Sequence, residues 1–330
     1  MSATKDTATR RRILQQAVLA TGAAALMADK GRAQTGSGPA TGKEPAWKHL
    51  FPAGFRNERI KTPGAEINAV IGGSGPPVLM FHGAPQSLIT WRLIAPELAK
   101  DYTLVLCDLR GYGDSSRPPG GGDHSDYSKR TMAVDGVEVM KHLGYGQFRM
   151  VGHDRGGRVG RRMALDHPDK VTKLAVLDIV PAHYLYSHVN VDFVRAYFHW
   201  FNLLRAEPGP ENDLKVQNDA QMARATNEIQ LEYLRNNTDP ASIHAMCEDY
   251  RASASLDLKI DEADIKAGKK IQCPLHVLWA ATGAMGKLYD VLNIWKDEGV
   301  NVTGKGLPGN HSLQESAPKE TLAELQQFLR

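Results

Sequence analysis

Residues 147–168 read QFRMVGHD, then RGGRVGRRMALDHP, and the passage from strand to helix falls between the two halves. The first half is an apolar extended run. The second has helical spacing and is closed by Pro168. Asp154 stands at the junction. Gly152, Gly156 and Gly157 flank it, as a tight turn needs if helix and strand are to pack closely. A strand, a sharp turn carrying a nucleophile and a helix make up a nucleophile elbow. Here the nucleophile is a carboxylate, and the start of the helix stabilises its negative charge. A carboxylate that attacks carbon forms an ester and splits one hard displacement into two easier steps.

The same alternation runs outward from this turn. RIKTPGAEINAVIGG predicts a β-hairpin around Pro63-Gly64. PPVLMFHGAP and YTLVLCDL read as strands, the first apolar enough to be buried on both faces. KRTMAVDGVEVMKHLG predicts a helix ended by Gly144, and VTKLAVLDIVP a strand. Between 181 and 254 the alternation stops in favour of aromatic and charged helical sequence. CPLHVLWAATG resumes it, followed by a helix over LYDVLNIWKDEG, a strand NVTGKGL and a terminal helix ETLAELQQFLR. Such alternation indicates an α/β protein, a mostly parallel sheet with helices on both faces, and with the nucleophile elbow the expected fold is that of the α/β-hydrolases. The expected organisation is a signal-like segment 1–33, a Gly/Pro/Ser/Thr-rich linker 34–46, a core of 47–180 and 255–330, and a helical lid 181–254.

Two more residues complete a triad in the chain order nucleophile, acid, base. Asp178 follows the strand after the nucleophile helix. His311 lies in the loop LPGNHSLQESAP after the last strand. The oxyanion donors are expected to be backbone N–H groups of Ala84, in HGAP, and of Arg155. Arg155 and Arg158 lie three apart, on one helix face. One guanidinium would suffice to lower the pKa of Asp154. Two suit capture of a second, substrate carboxylate, and they offset a repulsion of several kcal/mol between two carboxylates about 4 Å apart. Arg161 and Arg162 read as a solvated basic face.

GHDRGGRVGRRMALDHP, KLAVLDIVP, FHW and MCEDYRA together resemble the haloacetate dehalogenases, including those that cleave fluoroacetate, from about Trp47 to the C-terminus. The resemblance implies hydrolysis of 2-halo acids, with the halide held by His199, Trp200 and Tyr250, and no cofactor or metal. It also implies a homodimer, although no surface stripe in the sequence marks an interface. The chain departs from the family at Ala84, where Phe is usual. A related alternative is an epoxide hydrolase using the same triad with a lid tyrosine (Tyr184, Tyr186, Tyr197, Tyr233 or Tyr250) as donor to the epoxide. A second alternative is a non-catalytic binder of small carboxylates.

The chain has 330 residues, 42% hydrophobic and 23% charged, ordinary for a globular protein. The basic residues Arg10, Arg11 and Arg12 precede a mildly apolar run and resemble a twin-arginine signal read by that export machinery, so the expected location is periplasmic or secreted. That segment carries +4 of a formal total of +3, which leaves the remainder near −1 and argues against nucleic-acid binding. No apolar run reaches the ~18 residues of a membrane span. Cys107, Cys247 and Cys273 have no C-x-x-C spacing and read as packing residues.

Overall fold

The computed structural model describes residues 46–330. The signal-like segment and all but the last residue of the linker lie outside the described residues. Eight strands form one sheet: β1 (Arg56–Thr62), β2 (Ala65–Gly72), β3 (Pro77–Phe81), β4 (Thr103–Cys107), β5 (Phe148–His153), β6 (Val171–Leu177), β7 (Leu275–Ala280) and β8 (Val302–Leu307). Their spatial order is β1-β2-β4-β3-β5-β6-β7-β8. β2 runs antiparallel to both β1 and β4, and every other pair is parallel. This is the α/β-hydrolase arrangement that the alternation predicts.

The apolar runs stay in the middle of the sheet because both of its faces are covered. In β3, Val78 and Met80 enter one hydrophobic cluster while Leu79 and Phe81 enter the other. In β4, Leu104 and Leu106 divide from Val105 and Cys107 in the same way. A fully buried side chain of this size contributes roughly 1.5–3 kcal/mol, so the period of two spreads the driving force over both faces.

Helices of two turns or more are α1 (Lys129–His142), α2 (Arg155–Asp166), α3 (Val191–Asn202), α4 (Gly209–Met222), α5 (Glu228–Asn237), α6 (Pro240–Ser253), α7 (Leu256–Lys266) and α8 (Pro318–Leu329). α1 is capped at its start by Ser128, whose side chain accepts from the Thr131 N–H, and it ends at Gly144 in the left-handed region. α1 packs on α2, and α2 on β5 and β6. Helices α3–α7 lie between β6 and β7 and interrupt the alternation there. The carboxyl ends of β3, β5, β6 and β8 lead into the segments carrying Ala84, Asp154, Asp178 and His311, the edge at which open α/β sheets bind ligands.

Two expectations need correction, and one helix was not anticipated. The helix expected over LYDVLNIWKDEG begins later, at Val291, because Asp290 serves as its cap and accepts from the Asn293 N–H. Tyr289, just before it, is extended. α7 was not legible as a helix of its own. Finally, Arg161 and Arg162 are buried, not a solvated face. Arg161 Nε donates to Glu298 Oε2 at 2.7 Å, and its NH1 to Asp261 Oδ1 at 2.7 Å. Arg162 pairs with Asp166 at 2.7 Å and with Asp264 at 2.5 Å. These partners stitch α2 to α7 and to the turn before β8. Among the described residues no helix is long and apolar enough to cross a membrane. The three cysteines are free thiols, with Cys107 and Cys247 buried and Cys273 half-buried.

Breaking one arm of a buried ion network leaves a desolvated charge behind. We therefore expect Asp261→Ala to lower unfolding free energy by on the order of 3 kcal/mol in urea, with an unchanged denaturant slope. A loss below about 0.5 kcal/mol would place Arg161 in the solvent-screened class instead.

Candidate active site

The turn between β5 and α2 is strained where the chemistry would sit. Asp154 has φ 44° and ψ −115°, in the region that favours glycine. The neighbouring glycines make this possible by close approach. A Cβ on Gly152 would lie 2.5 Å from the Gly156 carbonyl oxygen, and one on Gly156 would lie 2.4 Å from that of Phe81. The backbone closes the turn with Asp154 N–H donating to Leu177 O (3.2 Å) and Gly156 N–H to His82 O (2.9 Å).

The structure brings the three triad candidates to one edge of the sheet. His311 Nδ1 lies 2.7 Å from Asp178 Oδ2, and since a carboxylate oxygen accepts, the ring N–H donates. Asp178 is held in turn by the Ala280 N–H, 2.8 Å from its Oδ1. Its own φ of 53° aims it out of the strand end. The Ala84 N–H donates to Asp154 Oδ2 at 3.2 Å, the place of an oxyanion donor. Arg155, the other expected donor, supplies the first amide of α2. His153, which sequence reasoning passed over, holds the base loop: its Nε2 lies 2.9 Å from the His311 carbonyl oxygen, which accepts. Burial, aided by the nearby His311, pushes its pKa down to about 3, so it is a neutral donor.

Electrostatics keep the nucleophile charged. Burial would raise the Asp154 carboxyl, but His311 and the guanidinium groups of Arg158 and Arg155 outweigh it and hold the pKa below the usual carboxylate range. For His311, desolvation lowers the pKa, but the hydrogen bond to Asp178 and the charges of Asp154 and Asp178 raise it above the ordinary value.

Both arginines lie beside the nucleophile, but differently engaged. Arg155 is fully buried, with Nε and NH2 both bound to the carboxylate of Asp249 (2.9 and 2.6 Å). Arg158 NH1 donates to Val180 O at 2.8 Å. Arg155 NH1 and Arg158 Nε are buried without a hydrogen-bond partner. The halide candidates surround them. The Arg155 guanidinium carbon is 4.3 Å from the Tyr250 ring centroid, and that of Arg158 is 4.8 Å from the Trp200 ring centroid. Trp200 and His199 lie 5.7 and 6.0 Å from Tyr250 between ring centroids. His199 remains accessible to solvent, yet the surrounding protein desolvates it and pushes its pKa down to about 4, leaving a neutral imidazole.

Of the lid tyrosines, Tyr233 is committed elsewhere, its hydroxyl donating to Glu315 at 2.9 Å. Tyr184 stacks on His188, 4.0 Å between ring centroids. Tyr186 and Tyr197 pack beside Trp200 (5.5 and 6.2 Å), and the Tyr186 hydroxyl is buried without a partner. Asp249 also escaped the sequence reading. Its one signal was its place in CEDYRA beside Tyr250.

A family model of the α/β-hydrolase fold matches residues 76–282. The chain is 42% identical over 288 residues to fluoroacetate dehalogenase of a Burkholderia species, covering 84% of this chain and 94% of that protein. It is 31% identical over 272 residues to soluble epoxide hydrolase of Corynebacterium sp. (strain C12), covering 78% and 91%. A solved structure of an α/β-hydrolase candidate from Nostoc sp. PCC 7120 superposes with a TM-score of 0.79 at 46% identity, covering 83% of this chain and 98% of that one.

The His311–Asp178 hydrogen bond has a spectroscopic consequence. An NMR titration of the His311 ring should give a pKa above the ordinary value of about 6.5. Asp178→Asn should bring it down, because the anion that favours the imidazolium is gone. No change in the variant would uncouple the two residues.

Proposed function

The chain belongs to the α/β-hydrolase fold family, and we propose that it hydrolyses 2-halo carboxylic acids of the haloacetate type through an ester on Asp154. One observation carries this reading. Two buried guanidinium nitrogens, Arg155 NH1 and Arg158 Nε, lack partners beside an ionised nucleophile. Buried charged donors seek an acceptor, and a substrate carboxylate supplies one oxygen to each. The similarity to a fluoroacetate dehalogenase supports the same choice.

In the proposed reaction, one carboxylate oxygen of Asp154 attacks the α-carbon and the carbon–halogen bond breaks with its electron pair. Halide departs toward His199, Trp200 and Tyr250, whose N–H and O–H donors replace part of its hydration. Neutral His311 then takes a proton from water, and the oxygen adds to the Asp154 ester carbonyl. The oxyanion forms at Oδ2, to which Ala84 N–H already donates, with Arg155 N–H as second donor. Collapse breaks the acyl bond to the substrate oxygen, which takes the proton back from His311, and releases the hydroxy acid carrying an oxygen from Asp154. Holding two carboxylates about 4 Å apart costs roughly 4 kcal/mol at an effective dielectric of 20, which the arginines offset.

The wider proposal keeps residues 181–254 as a lid over this chemistry, a homodimer as the assembly, and export by the N-terminal segment to the periplasm. The second reading, epoxide hydrolysis, draws on the 31% identical relative and on Tyr186, Tyr197 and Tyr250 beside Trp200.

Free-halide release from fluoroacetate and chloroacetate decides between them. We expect release by the parent and a loss of roughly 10⁴-fold or more in Asp154→Asn. Arg158→Ala should raise the KM for chloroacetate roughly ten- to a hundredfold, the worth of a charged hydrogen bond. A diol formed from a neutral epoxide, without halide release and indifferent to Arg158→Ala, would overturn the haloacid reading. In oxygen-18 water a single turnover should place label in Asp154 and none in the hydroxy acid.

A further inference from the structure

We infer that Asp249 is the positioning residue of the carboxylate site: it fixes the Arg155 fork so that NH1 alone is presented to the substrate. The inference rests on the haloacid reading for its substrate, but its test can be read separately.

Arg155 carries five N–H donors in a rigid plane. Four of its contacts run to one short piece of α6. Nε donates to Asp249 Oδ2 (2.9 Å), while NH2 donates to Oδ1 (2.6 Å), to the Asp249 carbonyl oxygen (2.8 Å) and to Ser253 Oγ (2.6 Å). Two of these lie side by side on a single carboxylate, which fixes the plane of the guanidinium as well as its place. NH1 is what remains, buried and unpartnered. The Tyr250 ring, next in sequence, closes on the guanidinium carbon at 4.3 Å. The same turn of helix therefore shapes one arm of the carboxylate site and one donor of the halide site.

Asp249 is held rigidly in return. Lys129 Nζ, from the start of α1, pairs with its Oδ1, and Tyr112 donates its hydroxyl to Oδ2 at 2.7 Å. Burial would raise the Asp249 carboxyl, but Arg155 and Lys129 outweigh it and hold its pKa far below the usual range. A purely structural ion pair could use every arm of the arginine. This one leaves NH1 buried without an acceptor on an arginine close enough to bear on the Asp154 charge, and an anionic ligand would supply the acceptor.

The test measures binding of glycolate, the hydroxy acid product, and of glycolamide, its neutral counterpart, through tryptophan fluorescence. The full chain is compared with Asp249→Asn, Ser253→Ala and Tyr112→Phe. We expect Asp249→Asn to weaken glycolate roughly tenfold or more and Ser253→Ala or Tyr112→Phe a few-fold, with glycolamide within about twofold of the parent in each. A merely structural role would weaken both ligands together, and that result overturns the inference. So does unchanged glycolate affinity in the folded variants, or a parent that does not bind glycolate. If Asp249→Asn fails to fold, Ser253→Ala and Tyr112→Phe decide by the same ratio. A parent that binds glycolate but releases no halide from chloroacetate ends the haloacid reading, while the glycolate-to-glycolamide ratio still judges Asp249.

Discussion

Everything at this site hangs on one backbone constraint, the left-handed turn at Asp154. The turn is unfavourable for a residue with a Cβ, and it persists because the surroundings over-determine it. β5 is locked between β3 and β6, and α2 packs so closely that Gly152 and Gly156 have no room for a side chain. The strain is of order 1–3 kcal/mol and buys a carboxylate standing free of its own strand, at the amino end of a helix. Ala84, Arg155 and Arg158 take their places relative to that carboxylate. Moving the turn by an ångström would misplace all three.

A second constraint is charge. α2 carries four arginines in eight residues, and all four are buried. Such a helix cannot fold alone, since unpaired guanidinium groups in a dry interior cost far more than the helix gains. The pattern becomes stable because partners arrive from elsewhere: Asp249 from α6, Asp261 and Asp264 from α7, Glu298 from the turn before β8. The inner end of α2 spends its arginines on the site and the outer end on tertiary clamps.

That division explains what could be read in the sequence. The strands were legible because both faces of the sheet are buried and the runs are continuous. That Asp154, Asp178 and His311 fall at the same ends of their strands was legible because each follows a strand in the order an elbow fold predicts. Arg161 and Arg162 were not, because nothing near them in sequence is acidic except Asp166, and their other partners lie about a hundred residues or more away. Asp249 hid for a similar reason. An acidic residue in a charged helical stretch looks like surface until the fold carries it 94 residues back to Arg155. The late start at Val291 is a local matter: an aspartate prefers to cap a helix than to sit in its first turn.

α6 shows how the two constraints meet. Its Asp249, Tyr250 and Ser253 face the arginine and the nucleophile, while Glu248, Arg251 and His244 face away. On the far side His124 lies 2.7 Å from Glu248, Arg251 bonds Glu248 and the Arg205 carbonyl, and the His244 ring donates to Pro119 O at 3.1 Å. Charged contacts therefore clamp the helix from both sides. Dispersion and hydrophobic burial are nondirectional and would tolerate a rotation of α6 by a few degrees. Paired hydrogen bonds to a planar guanidinium would not. Asp249, which holds the Arg155 fork, and Tyr250, whose ring lies on the same guanidinium, are consecutive, so a rotation of α6 would displace both contacts at once.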